Sequence, residues 1–173
     1  MCSSDLQEVT LNETEQVSLT QFLSLQHLCE SLTVAEVHTL LQYLTLLNLK
    51  KEDVLSDIGD IGDALYFVVK GEIALTFDDR DQEHEIVRAG SGQMLGEMSF
   101  FDKLPRSVRL VAKAGDTQVL KLTRAMYKRM KVEHPYIAIN IVEQAIISLD
   151  GLFRRVSGDF AQFSHYFYGP GVK

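Results

Sequence analysis

"SGQMLGEMSFFDKLPRSVRL", residues 91–110, sets Glu97 directly after a glycine and Arg106 directly after a proline, in a run otherwise rich in apolar side chains. Gly96 followed by Glu97-Met98-Ser99-Phe100-Phe101 reads as a glycine turn leading into a short helical turn, whose free amides favour an anion in front of them. Arg106 returns after a loop closed by Pro105. An arginine fork beside bare amides suits a single phosphate or a carboxylate. An ionised Glu97 repels such an anion unless it bonds a hydroxyl nearby, so a ligand carrying both a phosphate and a sugar hydroxyl satisfies both side chains. The plainer alternative is that Glu97 and Arg106 pair with each other, a contact worth at most about 1 kcal/mol at a surface.

Other readings of the glycines fail on spacing. Gly90, Gly92 and Gly96 miss the dinucleotide fingerprint, whose third glycine would fall on Leu95, and no βαβ pattern surrounds them. A Walker loop needs Gly-Lys-Ser/Thr where this chain has Gly96-Glu97.

Around this stretch the pattern changes twice. Val17 to Cys29 carry apolar residues at helical spacing over about residues 14–31, and the Thr33/Glu36 capping box opens a second helix through about Leu47. Short runs rich in Val, Ile, Leu, Tyr and Phe follow to about Thr123: 46–49, 64–69, 72–77, 85–87, 107–112 and 118–122. Asp78 to Gln82 form a polar hairpin tip, and Gly71 sits where the chain must reverse. Beyond Thr123, Arg124–His134 is a short amphipathic helix and Pro135 opens another, to about His165, with a long apolar stripe. Burial against the chain's own helices, a homodimer seam and a lid over a ligand all account for that stripe.

With 173 residues and only three prolines the chain suits one compact domain. The expected divisions are a flexible N-terminus at 1–16, one domain at 17–165 (helices 17–47, β-roll 48–123, helices 124–165) and a tail at 166–173. A net charge of -7 with interspersed signs leaves no basic stripe for nucleic acid. Cys2 and Cys29 have no CxxC neighbour, the five histidines lack metal-ligand spacing, and no nucleophile stands with a base. Neither catalysis nor a metal nor a cofactor is expected. The start of the chain has no signal-peptide pattern and no uninterrupted run of about 18 apolar residues occurs, so a cytoplasmic setting without a membrane span is the expectation.

Gly96-Glu97-Met98-Ser99-Phe100 followed by Pro105-Arg106-Ser107 resembles the phosphate-binding cassette of the cyclic nucleotide-binding domain family, which includes catabolite activator proteins and regulatory subunits of cyclic-AMP-dependent protein kinase. Gly59 to Val68 with Gly71, and Leu120 to Arg124, are similar to the family's approach to and exit from its barrel. The resemblance covers about Leu25 to Leu152. It implies an α+β fold, an antiparallel, jelly-roll-like β-roll of about eight strands with N-terminal helices and a C-terminal helix pair. It also implies that Glu97 accepts the ribose 2′-hydroxyl, that Arg106 pairs with the cyclic phosphate, and that Gly96, Met98, Ser99 and Ser107 complete the cradle.

The implied ligand is cAMP or cGMP; Ser107 does not choose between them. Val108 and Arg109 depart from the family's usual small apolar residue after the arginine, and Leu95 from its frequent Phe. Among late aromatics Phe153 is the lid candidate, with Phe160, Phe163, Tyr166, Phe167 and Tyr168 as others that could cover the base. The expected function is a sensor that passes ligand occupancy through its last helix to a homodimer partner or an effector protein. The rivals are a ligand-free roll serving as a scaffold, and the regulatory part of a larger transporter or enzyme. Only about 20 residues follow Leu152, too few for an appended DNA-reading domain.

Overall fold

The computed structural model describes residues 6–168, with side chains through Ala161. The chain opens with a short strand, β1 (Gln7–Val9), then α1 (Glu13–Ser24), a 3-10 turn at His27–Cys29 and α2 (Val34–Leu41). Eight strands follow: β2 (Thr45–Leu49), β3 (Val54–Ser56), β4 (Ala64–Lys70), β5 (Ile73–Asp79), β6 (Gln82–Ala89), β7 (Met94–Leu95), β8 (Arg109–Ala112) and β9 (Thr117–Thr123). A six-residue helix, α3 (Glu97–Asp102), interrupts them between β7 and β8. Two helices end the described chain, α4 (Arg124–Glu133) and α5 (Pro135–Tyr168).

The strands form two antiparallel sheets, ordered β1-β2-β9-β4-β7 and β3-β8-β5-β6, facing each other as a roll. Side-chain alternation along β4 explains how they share the chain's apolar residues. Ala64, Tyr66 and Val68 point into the roll with Leu49, Ile73, Leu110 and Val119. Leu65 and Phe67 point outward with Leu120 and Leu122 of β9, where α1, α2, α4 and α5 cover them through Leu23, Leu40, Met130 and Ile141. β4 is therefore buried on both faces.

The turns are chemically specified. Thr33 caps α2 by accepting the Glu36 amide at 3.3 Å while the Glu36 carboxylate accepts the Thr33 amide at 2.8 Å. Asn12 and Glu15 build the same box ahead of α1. Arg80 and Asp81 take positive φ at the β5–β6 tip, as a tight two-residue hairpin requires. Gly71 has φ +80°, and a Cβ there would lie 2.4 Å from Thr117 Oγ1.

Several sequence expectations are corrected. The second helix ends at Leu41 rather than Leu47: Leu47 and Leu49 face the roll, Leu46 faces the helices, and a run buried on both sides has no period that separates helix from strand. Residues 1–16 are not an unstructured end throughout, because Gln7–Val9 pair with Leu46–Asn48 and α1 begins at Glu13. The first helical stretch breaks after Ser24 into the 3-10 turn. β1, β3 and β7, of two or three residues each, bring the described strands to nine. β8 starts at Arg109 rather than Ser107.

The last helix runs to Tyr168, through Gly151 and Gly158 and into the expected tail, whose residues 169–173 lie outside the described chain. At 34 residues it is about 50 Å long. Over Pro135–Ala161 it is apolar and long enough to cross a bilayer by length and composition. Its first half nevertheless packs on the roll through Ile137, Ala138, Ile141 and Ala145.

Candidate functional site

Two loops and a helix start converge on Glu97 and Arg106. β7 ends at Leu95, and Gly96, at φ +92°, turns the chain so that α3 begins at Glu97. The loop ahead of β4 packs against the loop after α3 as a short antiparallel contact. The Arg106 amide donates to the Asp60 carbonyl at 2.8 Å, and the Gly59 amide to the Arg106 carbonyl at 2.8 Å. Ser99 locks the pair from within: its hydroxyl accepts the Gly62 amide at 2.6 Å and donates to the Leu104 carbonyl at 2.6 Å.

The Arg106 side chain passes between two glycines. A Cβ at Gly62 would lie 2.8 Å from Arg106 Nη2 and one at Gly96 3.2 Å from it. Glu97 and Arg106 are 7% and 8% exposed, yet they form no ion pair with each other, and buried Arg106 Nε has no hydrogen-bond partner. The pairing alternative is therefore not realised. A buried guanidinium with an unanswered N–H is costly unless an acceptor reaches it. Burial pushes the Glu97 carboxyl above its ordinary range, against the opposing pull of the Ser148 hydroxyl, its own amide and the Arg106 guanidinium. Beneath them, burial pushes the Tyr66 phenol up to about 12, so it stays neutral.

The cleft over these groups has roll residues Leu75, Val87 and Leu110 as its floor, and Gly96, Glu97, Met98 and Arg106 along one side. α5 covers it with Ser148, Leu149, Leu152 and Arg155, leaving a cavity of about 90 Å³. A larger polar trough, about 500 Å³, lies by Asn48, Lys50, Lys70, Asp116 and Gln118, but Lys70 pairs with Asp116 and Gln118 donates to Asn48. Nothing there is buried and unanswered as Arg106 is.

Of the residues singled out from sequence, Gly96, Glu97, Met98 and Arg106 come together at the cleft. Ser99 does not line it, because its hydroxyl is committed to Gly62 and Leu104. Ser107 is exposed on the loop outside it. Phe153 is 70% exposed and faces away; Leu149 and Leu152 stand where a lid was expected of it. Phe160 is exposed as well, while the side chains of Phe163, Tyr166, Phe167 and Tyr168 lie outside the described residues. Arg109 does not bring free charge to the cleft: Asp57 and Asp78 hold it at 2.7 and 3.0 Å.

Sequence reasoning missed the residues that α5 contributes, and it missed Arg124. The Arg124 guanidinium donates to the Phe100 carbonyl at 2.6 Å and to the Gly62 carbonyl, and stacks 4.7 Å from the Phe100 ring. It thereby clasps the end of α3 to the glycine loop on the other side of Arg106. Its position as the first residue after a strand was the only available signal, and that position alone does not identify a clasp.

The family model of the cyclic nucleotide-binding domain matches residues 46–134, just over half of the chain. The match contains Glu97, Arg106 and Arg124 and ends before α5. The cyclic AMP receptor protein of Thermus thermophilus is 37% identical over 84 residues, 48% of this chain and 38% of that protein. The cAMP-dependent protein kinase type II regulatory subunit of Drosophila melanogaster is 31% identical over 72 residues, 42% of this chain and 19% of that one. The chain thus spans less than two-fifths of the length of either relative. The crystal structure of a cyclic nucleotide-binding domain from Methylobacillus flagellatus matches the fold with a TM-score of 0.69, covering 98% of this chain and 91% of that one at 20% identity.

Proposed function

The chain belongs to the cyclic nucleotide-binding domain family, and on that premise we propose that Glu97 and Arg106 hold the ribose and the phosphate of one cyclic nucleotide, cAMP or cGMP. The observation that carries this reading is the buried, unanswered guanidinium of Arg106 beside the first turn of α3. A cyclic phosphate supplies the missing acceptor and takes a charge-assisted bond from the fork. Glu97, opposite, accepts the ribose 2′-hydroxyl, which has no charge to repel. The apolar floor of Leu75, Val87 and Leu110 suits the face of a base. The role is binding rather than catalysis, in a reducing compartment such as the cytoplasm, where the free thiol of buried Cys29 persists.

Occupancy is transmitted by displacement. Small-molecule sites enclose about 300 Å³ or more, against about 90 Å³ here. A nucleotide therefore enters only as Leu149 and Leu152 withdraw, and that shift of α5 is the signal a partner reads. The same small volume favours a second reading, in which α5 permanently plugs the roll and the chain is a scaffold.

Calorimetry on protein refolded free of carried-over nucleotide separates the two. Sensor behaviour is saturable binding of cAMP or cGMP near one per chain, weakened by about ten- to a hundredfold in Arg106→Ala. Heat-silent titrations with both nucleotides, on a folded sample, would leave the scaffold.

A further inference from the structure

We propose that Ser157 is a phosphorylation site, the acceptor for a serine/threonine protein kinase that selects arginine ahead of the hydroxyl. Arg154-Arg155-Val156-Ser157 sets arginines three and two residues before a serine. That spacing suits a substrate groove lined with carboxylates, where each guanidinium takes a bidentate partner while the hydroxyl reaches the transferred phosphoryl group. Among the serines and threonines of the chain, Ser157 alone has Lys or Arg at both positions. Ser91 has Arg88 at the earlier one and Thr123 has Lys121 at the later one. Both hydroxyls are in use: Ser91 donates to the Val69 carbonyl at 2.9 Å, and Thr123 caps α4 by accepting the Met126 amide at 3.3 Å. Arg88 is itself held by Glu72 and Glu85.

A kinase reads its substrate as an extended strand, so the cost of local unwinding decides which hydroxyls it reaches. From Phe153 to Ala161 every residue of α5 is exposed. Unwinding there breaks helical hydrogen bonds that water replaces, and it uncovers no core. Gly158, next to the acceptor, and Gly151, ahead of the arginines, each weaken the helix by about 1 kcal/mol relative to Ala. Thr20, Thr76, Ser99 and Thr117 are buried and offer no such segment.

The arginines are available to a partner. Arg154 meets Asp150 at 2.7 Å, with side chains 78% and 53% exposed. A surface pair of that kind is worth at most about 1 kcal/mol and yields to carboxylates in an enzyme groove. Gly158 and Asp159 follow the serine, so no apolar side chain fills the position after it and selection falls on the arginines.

In the transfer, Ser157 Oγ bonds to the γ-phosphorus of ATP as the bond from that phosphorus to the β,γ-bridging oxygen breaks. ADP leaves, and the hydroxyl proton passes to a carboxylate of the kinase. The product carries about -1.5 to -2 charges at pH 7. It stands three residues after Arg154, one turn away on the helix, and competes with Asp150 for that guanidinium. None of this depends on what the cleft holds.

The test incubates the full chain with Mg-ATP and the catalytic subunit of cyclic-AMP-dependent protein kinase, used as an arginine-directed probe, and maps the product by tandem mass spectrometry. The expected result is phosphate on Ser157 approaching one per chain, and none on Ser157→Ala. In Arg154→Gln, with unchanged circular dichroism, kcat/KM falls by about tenfold or more. A synthetic peptide spanning residues 150–161 is the unwound comparator, and the full chain reacts within about tenfold of it. Phosphate on Ser91 or any other residue in place of Ser157 would overturn the assignment, as would an Arg154→Gln chain that reacts as well as the wild type. A peptide that reacts while the full chain does not would sink it too, because the helix would then withhold Ser157 from the enzyme. Silence from both would mean that the arginines do not recruit such a kinase.

Discussion

Glu97 is a residue whose cost and use are separable. Burial holds its folded pKa above the unfolded value, so the folded chain binds that proton more tightly and stability falls as pH rises from the unfolded into the folded value. At neutral pH the buried carboxyl is a standing cost. Glu97→Gln is therefore expected to raise the melting temperature of the nucleotide-free protein at pH 7, and to lose that advantage below about pH 4, where the unfolded carboxyl is also protonated. The same variant weakens nucleotide binding; thermal scans against pH, with calorimetry alongside, check both halves. Arg124 shows the opposite balance. Arg124→Ala leaves the Phe100 and Gly62 carbonyls without their donor and is expected to destabilise the fold by about 2 to 3 kcal/mol, measured by urea unfolding. It also weakens nucleotide binding although it does not line the cleft, because α3 and the Gly62 loop are no longer clasped.

At the scale of elements, turn chemistry sets how sharply each piece begins. Thr33→Ala is expected to cost about 1 kcal/mol through the lost α2 cap. Gly71→Ala is expected to cost more than about 1 kcal/mol, because φ is +80° and Thr117 occupies the space a Cβ needs. Denaturant midpoints of the two variants test that order. The same chemistry decided what the sequence could tell. The Thr33 capping box, Gly71, the Asp78–Gln82 tip and the Gly96-Glu97 turn are local signals, and they lie where the sequence places them. The run at 46–49 was read as a strand, but the end of α2 was set at Leu47 inside it because the leucines there are buried on both sides, and β7 was missed because two residues carry no period. On α5 apolar residues stand on the exposed side as well as the buried one, so the late aromatics looked like the lid. The outward Phe153 was taken for a covering residue that Leu149 and Leu152 provide.

The whole molecule is two apolar cores sharing β4 and β9, with the cleft at the end of one and α5 across its mouth. Ligand energy should accordingly appear as global stability. Nucleotide at about 100 times its Kd is expected to add about 2.7 kcal/mol to unfolding, read as a rise in melting temperature that Arg106→Ala cuts to about 0.4 to 1.4 kcal/mol at the same concentration. A shift of undiminished size in that variant would locate the ligand elsewhere.

The passage of Arg106 between Gly62 and Gly96 also bears on how such a chain would decay. Both glycines leave room for the guanidinium, but only Gly96 has a positive φ of its own to satisfy. A descendant that lost the arginine would still meet the backbone of α3 at position 62, where a Cβ would lie 3.0 Å from the Phe100 nitrogen and from the Ser99 carbonyl carbon, and would still need glycine at 96 for its φ. The seat of the guanidinium would therefore outlast the guanidinium. Relearning the ligand at that position would take one codon.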